Sequence, residues 1–159
     1  NSIFSSDLIE QLRAICGHEN VYAAGEALQH RHLKGARLGQ GLALAVCRPG
    51  TLQEAVDALR AIVKADAIVI PQGANTGLTG GSVPRDNTDR SAVVLNMRRL
   101  NKIHEIHDEK NSEAKMLCLA GAGIHDLSVR AKLIGRESHS ILGSTFLNPT
   151  VAAGVSLGS

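Results

Sequence analysis

The sequence predicts an α/β (α+β) fold: a small parallel strand–helix–strand subdomain followed by the start of a mainly antiparallel second subdomain. Three observations lead there. Two short apolar runs, residues 42–47 and 67–70, flank a stretch whose apolar residues recur at helical spacing. After Met97 the pattern changes to alternation, which suits antiparallel pairing. Aromatic residues make up only 2% of the 159 residues against 43% hydrophobic, so the core must be built from Ala, Val, Leu and Ile. Such a core suits helices layered on sheet.

The elements follow in order. From Ser6, the residues Leu8, Ile9, Leu12 and Ile15 share one helical face, and Gly17 is a plausible stop. Residues 42–47 form a continuous apolar run ending at Pro49-Gly50, which predicts a buried strand and a turn. Thr51 and Glu54 then stand at capping-box spacing, and Leu52, Ala55, Val56, Leu59, Ile62 and Val63 mark a helix to about Lys64. Residues 67–70 form the next strand. Residues 42–71 are therefore expected to make a strand–helix–strand unit with parallel pairing and a right-handed crossover. Residues 92–95 predict a third strand after an exposed polar loop at 85–90. Alternation over 102–107, a charged turn at 108–113 and the apolar residues 115–120 predict an antiparallel hairpin. A helix over 124–134, with Leu127, Ala131 and Ile134 on one face, is expected to stop at Gly135. Residues 136–159 read as loop. On this division residues 1–99 form the first subdomain and 100–159 the beginning of the second.

Composition narrows the function. With 17 Lys+Arg against 15 Asp+Glu the chain is nearly balanced, and the basic cluster of Arg98, Arg99 and Lys102 has no aromatic partner for base stacking. Nucleic-acid binding is not expected. Cys16, Cys47 and Cys118 are odd in number and set among apolar neighbours, which reads as reduced core thiols. No window approaches the length of a membrane span, so the expectation is a soluble, cytoplasmic chain. Attachment to a membrane surface stays open.

The richest stretch is residues 70–84, IPQGANTGLTGGSVP, where an apolar strand opens into a loop with glycine at 73, 77, 80 and 81. Glycine leaves no Cβ in the way, so successive backbone N–H groups can converge on an anion, with Asn75, Thr76, Thr79 and Ser82 as further hydrogen-bonding groups. Phosphate binding and a glycine-rich turn between strands both fit this spacing. The loop follows the carboxyl end of a predicted parallel strand, the usual ligand side of such units.

Other constellations are weaker. Gly121 and Gly123 lie between a strand and a helix, but Asp126 occupies the third position of a dinucleotide fingerprint and its carboxylate would repel a pyrophosphate. The loop at 73–81 lacks the lysine and hydroxyl that end a triphosphatase loop. His30 and His32, read as a strand pair, and His104 and His107 find no further metal ligands in sequence, so solvated polar residues are expected and no metal. Ser144 has no assignable base and no nucleophile elbow surrounds it. No catalytic residue is assigned.

With these residues in view, the chain resembles the N-terminal part of the FAD-binding domain of the quinone-dependent D-lactate dehydrogenase family, within the wider vanillyl-alcohol oxidase and p-cresol methylhydroxylase type. The resemblance runs through Lys34-Gly-Ala-Arg37-Leu-Gly39-Gln-Gly41, Leu44-Ala-Val46 with Arg48-Pro-Gly50, the loop from Pro71 to Ser82 with Pro84, and Gly135-Arg-Glu137 leading to Ile141-Leu-Gly143-Ser144. It implies FAD as cofactor, with Gly73, Ala74, Asn75, Thr76, Gly77, Gly81 and Ser82 around the pyrophosphate. Gly143, Ser144 and Thr150 are implied to line the flavin. It implies oxidation of D-lactate to pyruvate, a 2-hydroxy acid substrate and a quinone acceptor, and a place in the cytoplasm or on the cytoplasmic face of the inner membrane. Phe146, Pro149 and Ala153 depart from the small residues of the family pattern, adding bulk near the flavin. The substrate-binding residues of the family fall in parts beyond residue 159, so this polypeptide alone is expected to be inactive, and the sheet edges and apolar surface that the full domain would cover lead to an expectation of self-association. The alternative is a non-catalytic remnant, or a nucleotide-binding module that associates with a partner.

Overall fold

The computed structural model describes residues 2–106, 115–138 and 145–158. Helix α1 (Ser2–Cys16) buries Leu8, Leu12 and Cys16, one helical face at i, i+4 and i+8. Gly17 ends it with φ 89° and an amide bonded to the Arg13 carbonyl at 2.9 Å. Strand β1 (Val21–Ala23) follows. Three residues are too few to show a period, and the sequence reading missed it. The short helix α2 (His30–Leu33) corrects the expectation that His30 and His32 lie on a strand.

Strand β2 (Ala45–Cys47) is the inner half of the predicted apolar run; Leu42 at its start is exposed. Helix α3 (Leu52–Lys64) has the predicted bounds because its N-terminus is doubly capped. Thr51 Oγ1 accepts from the Glu54 amide at 3.1 Å, and the Glu54 carboxylate reaches back to the Gly50 amide at 2.6 Å. Ala58 and Ile62 of α3 are fully buried, whereas Leu52, Val56, Leu59 and Val63 are exposed. The apolar residues that identify the helix therefore divide between two faces.

Strands β3 (Ile68–Gln72) and β4 (Ala92–Asn96) complete a four-stranded sheet of order β1-β2-β4-β3. Strands β2 and β3 are each parallel to β4, and β1 runs antiparallel to β2. This corrects one expectation: β2 and β3 do not pair directly, since β4 enters between them. The all-buried pattern AVVLN of β4 is that of a central parallel strand. One face of the sheet, with Ala45, Cys47, Val93 and Leu95, is covered by α1 and α3. The opposite face carries Val46 and Val94 with Tyr22, Leu33 and Ala43, and Ile70 packs beside them.

Strands β5 (Ile103–Ile106) and β6 (Lys115–Cys118) pair antiparallel as expected, and the charged turn between them lies outside the described residues. Helix α4 (Ile124–Leu133) is followed by Gly135 at φ 68°. The expectation of loop over 136–159 is corrected by a 3-10 turn (Thr145–Leu147) and helix α5 (Val151–Leu157), whose N-cap is Thr150. The amides of Gly121 and Val151 bond to the carbonyls of Leu100 (2.7 Å) and Ala122 (2.8 Å), tying this part to the end of the sheet. Cys16 and Cys47 are buried free thiols with their sulfurs 3.3 Å apart, and Cys118 is half-buried. No helix among the described residues is long and apolar enough to cross a membrane.

Candidate functional site

The loop of residues 73–82 leaves the carboxyl end of β3, beside the end of β4. Register sets what lies beneath it. Val46, Val94 and Ile70 share one sheet face, and two residues further along the same strands come Arg48, Asn96 and Gln72. The apolar face thus ends in a polar row at the edge where the loop begins.

Gln72 and Asn96 of that row are buried and bonded. Gln72 and Asn96 are each 2% exposed and His32 is 8% exposed. Gln72 Nε2 donates to the Ser82 carbonyl at 2.8 Å and to the His32 carbonyl at 3.0 Å. Its Oε1 accepts from Asn96 Nδ2 at 2.9 Å and from His32 Nδ1 at 2.7 Å. Asn96 Nδ2 also donates to the Gly73 carbonyl at 3.0 Å, and its Oδ1 accepts from the Arg98 amide at 3.1 Å. Because Gln72 Oε1 is an acceptor, the His32 proton sits on Nδ1. The Arg31 Nε donates to His32 Nε2 at 3.3 Å, which requires the neutral ring. Burial agrees, holding the His32 imidazole below its ordinary value. His32 corrects the expectation of a solvated histidine: tertiary packing, not the local pattern, encloses it.

Within the loop, Asn75 takes the left-handed conformation at φ 55°. Its Nδ2 donates to the Lys34 carbonyl at 2.8 Å and its Oδ1 accepts from Ser82 Oγ at 2.9 Å. The side chains of Asn75 and Ser82, both implied cofactor contacts, are thus engaged inside the protein, leaving their main-chain groups for a ligand. Gly80, at φ 73°, lies against Gly39 and the Leu38 carbonyl, and a Cβ there would come within 2.6 Å of that oxygen. The segment with Gly35, Gly39 and Gly41 is therefore the wall on which the loop leans. Gly73 abuts Thr150: a Cβ at 73 would stand 2.7 Å from Thr150 Oγ1. Thr150 itself is buried and caps α5 by accepting from the Ala153 amide at 3.3 Å. Gly77 and Gly81, by contrast, face open space, with no atom within 3.4 Å of a Cβ at either.

Among the described residues, the amides of residues 73–82 find no acceptor in the chain. Backbone N–H groups that lack a partner and lie on a loop held in shape from behind are a cradle for an anion. A pyrophosphate fits this chemistry, since it offers several acceptor oxygens and asks for no side-chain charge. Of the sequence-implied residues, the structure brings together Gly73, Ala74, Asn75, Thr76, Gly77, Gly81, Ser82 and Thr150, while Gly143 and Ser144 lie outside the described residues. The competing glycines are closed to such a ligand. Gly121 packs on the Met97 carbonyl, and at the start of α4 the Asn148 side chain accepts from the His125 amide at 3.0 Å and donates to Asp126 at 3.0 Å. The buried support of Gln72, Asn96 and His32 escaped the sequence reading. A polar residue ending each apolar strand run was the signal that could have found the first two.

Comparison with known proteins identifies the family and the fold. A family model described as FAD binding domain matches residues 43–157. The chain is 43% identical over 149 residues to a quinone-dependent D-lactate dehydrogenase of Haemophilus influenzae, covering 93% of this chain and 26% of that protein. The chain thus spans about a quarter of the length of such relatives. Among solved structures it superposes on alkyldihydroxyacetonephosphate synthase with a TM-score of 0.80 at 18% identity, covering 97% of this chain and 32% of that one. On p-cresol methylhydroxylase with substrate bound the TM-score is 0.64 at 16% identity, covering 84% and 25%. These two likenesses establish the shared fold.

Proposed function

Because the chain belongs to the FAD-binding domain family matched over residues 43–157, we propose that its loop of residues 73–82 holds the pyrophosphate of FAD in a flavin-dependent 2-hydroxy-acid oxidoreductase. The observation that carries this is the run of unpartnered amides on a loop whose two ends are fixed by buried side chains. In this reading the main-chain groups of Gly73, Ala74, Asn75, Thr76, Gly77, Gly81 and Ser82 contact the pyrophosphate, and Thr150, with Gly143 and Ser144, borders the flavin. Residues 1–99 form the first subdomain and 100–159 the beginning of the second.

Bound FAD would supply the two-electron acceptor for the substrate. The residues of this chain bind and orient it. D-lactate as substrate and a quinone as acceptor are favoured by the 38–43% identity to quinone-dependent D-lactate dehydrogenases. The chain spans about a quarter of its relatives' length, and in this reading residues 1–159 by themselves bind cofactor without oxidising D-lactate.

Titration of the purified chain with FAD, FMN and riboflavin, followed by flavin fluorescence, tests the proposal. Only FAD carries a pyrophosphate, so FAD binds tightest and inorganic pyrophosphate competes with it. Equal affinity for FAD and riboflavin would refute the assignment of the loop. Clear D-lactate-dependent dye reduction by the same preparation would refute the claim that these residues alone are inactive.

A further inference from the structure

Something must shape the loop of residues 73–82 before any ligand arrives. Its glycines cannot, since glycine loses the most conformational freedom on ordering. The buried carboxamides beneath it can. Asn96 Nδ2 holds the Gly73 carbonyl at 3.0 Å, and Gln72 Nε2 holds the Ser82 carbonyl at 2.8 Å. The first and last residues of the loop are therefore fixed from the same point, because Gln72 and Asn96 bond to each other at 2.9 Å.

Peptide planarity gives this clamp a direction. In a trans peptide the C=O and the following N–H point opposite ways, and there are no cis bonds among the described residues. With the Gly73 carbonyl turned inward onto Asn96, the Ala74 N–H is turned outward, away from the protein. His32 completes the arrangement. Its Nδ1–H and Asn96 Nδ2 are the two donors to Gln72 Oε1, so the carboxamide cannot flip its oxygen toward the Ser82 carbonyl without losing both bonds and opposing two acceptors.

We propose that Gln72, backed by Asn96 and His32, is the positioning residue of the loop: a buried carboxamide clamp that fixes both end carbonyls inward, turns the Ala74 amide outward and so holds the loop preformed for a diphosphate. The proposal rests on the pyrophosphate reading above. Preorganisation of this kind acts on affinity by removing the ordering that binding would otherwise require.

The test compares the full chain with its Gln72→Met variant, which keeps the length of the side chain and removes all four hydrogen bonds. Two quantities are measured: the affinity for FAD, and the 15N heteronuclear NOE of the loop amides without flavin, which reports nanosecond motion. The clamp predicts NOE values for residues 74–81 that are rigid in the wild type and fall in the variant while those of α3 stay high. It also predicts FAD affinity weaker by about tenfold or more, the equivalent of one or two hydrogen bonds. A folded variant with unchanged loop NOEs and unchanged affinity overturns the proposal. If Gln72→Met does not fold, Asn96→Ser, which frees the Gly73 carbonyl and leaves Gln72 on Ser82, decides by the same two readings. Failure of the wild type to bind FAD would sink the pyrophosphate reading, and the NOE comparison would then decide the clamp by itself.

Discussion

Gly77 allows charge to be separated from shape in the candidate loop. A Cβ built there meets no atom within 4 Å, and its φ is outside the left-handed range, so Gly77→Asp and Gly77→Asn should both fold as the wild type does. The two side chains are nearly isosteric and differ by one negative charge. A carboxylate about 5 Å from a phosphate charge, at an effective dielectric of about 20 to 30, is repelled by roughly 2–3 kcal/mol. That corresponds to a loss of FAD affinity of roughly 30- to 160-fold for the aspartate relative to the asparagine. The assay is flavin fluorescence titration of the three proteins at low and moderate salt, with circular dichroism to verify folding. Because the site is open to solvent, salt should narrow the difference between the two variants. Equal affinities for Gly77→Asp and Gly77→Asn at low salt would show that no phosphate lies near residue 77.

Other perturbations probe the supports of the site. Gly73→Ala places a methyl group 2.7 Å from Thr150 Oγ1, so it should lower stability by about 1–3 kcal/mol in urea unfolding, and a second change, Thr150→Ser, should recover only part of that loss because the oxygen remains. Thr51→Ala removes the side-chain cap on the Glu54 amide and should cost about 1 kcal/mol with no change in flavin affinity. Burial holds the His32 imidazole below its ordinary range, so the unfolded chain takes up the proton first as the solution is acidified. Its contribution to stability is complete above the unfolded value and is lost as pH falls through that value toward the folded one. Thermal melts across this window should show a steeper acid loss for the wild type than for His32→Asn; parallel curves would contradict the buried neutral imidazole.

How much of this was readable in the residues depends on the range of the interactions involved. Helix α3 was legible to its ends because Thr51 and Glu54 cap it within a few positions of its start, and the bonds they make are local. The glycine loop was legible as a phosphate-binding candidate, because the absence of Cβ atoms is a property of the sequence itself. The antiparallel hairpin followed from alternation in the same way. Helix α5 was not legible: Val-Ala-Ala-Gly-Val-Ser-Leu is short and small, and what holds it is a Thr150 cap together with a Val151 amide bonded to distant Ala122. The strand order was not legible either, since insertion of β4 between β2 and β3 is decided by which buried strand faces match, and all three runs are apolar. The site divides along the same line. Composition and spacing by themselves determined that a glycine-rich loop, a candidate for an anion, would follow a parallel strand. Only the tertiary structure decided that Asn75 and Ser82 turn their side chains inward, and that Gln72, Asn96 and His32 meet beneath the loop, because residues 40 and 64 positions from His32 in the sequence become hydrogen-bonding distance neighbours only when the sheet has assembled.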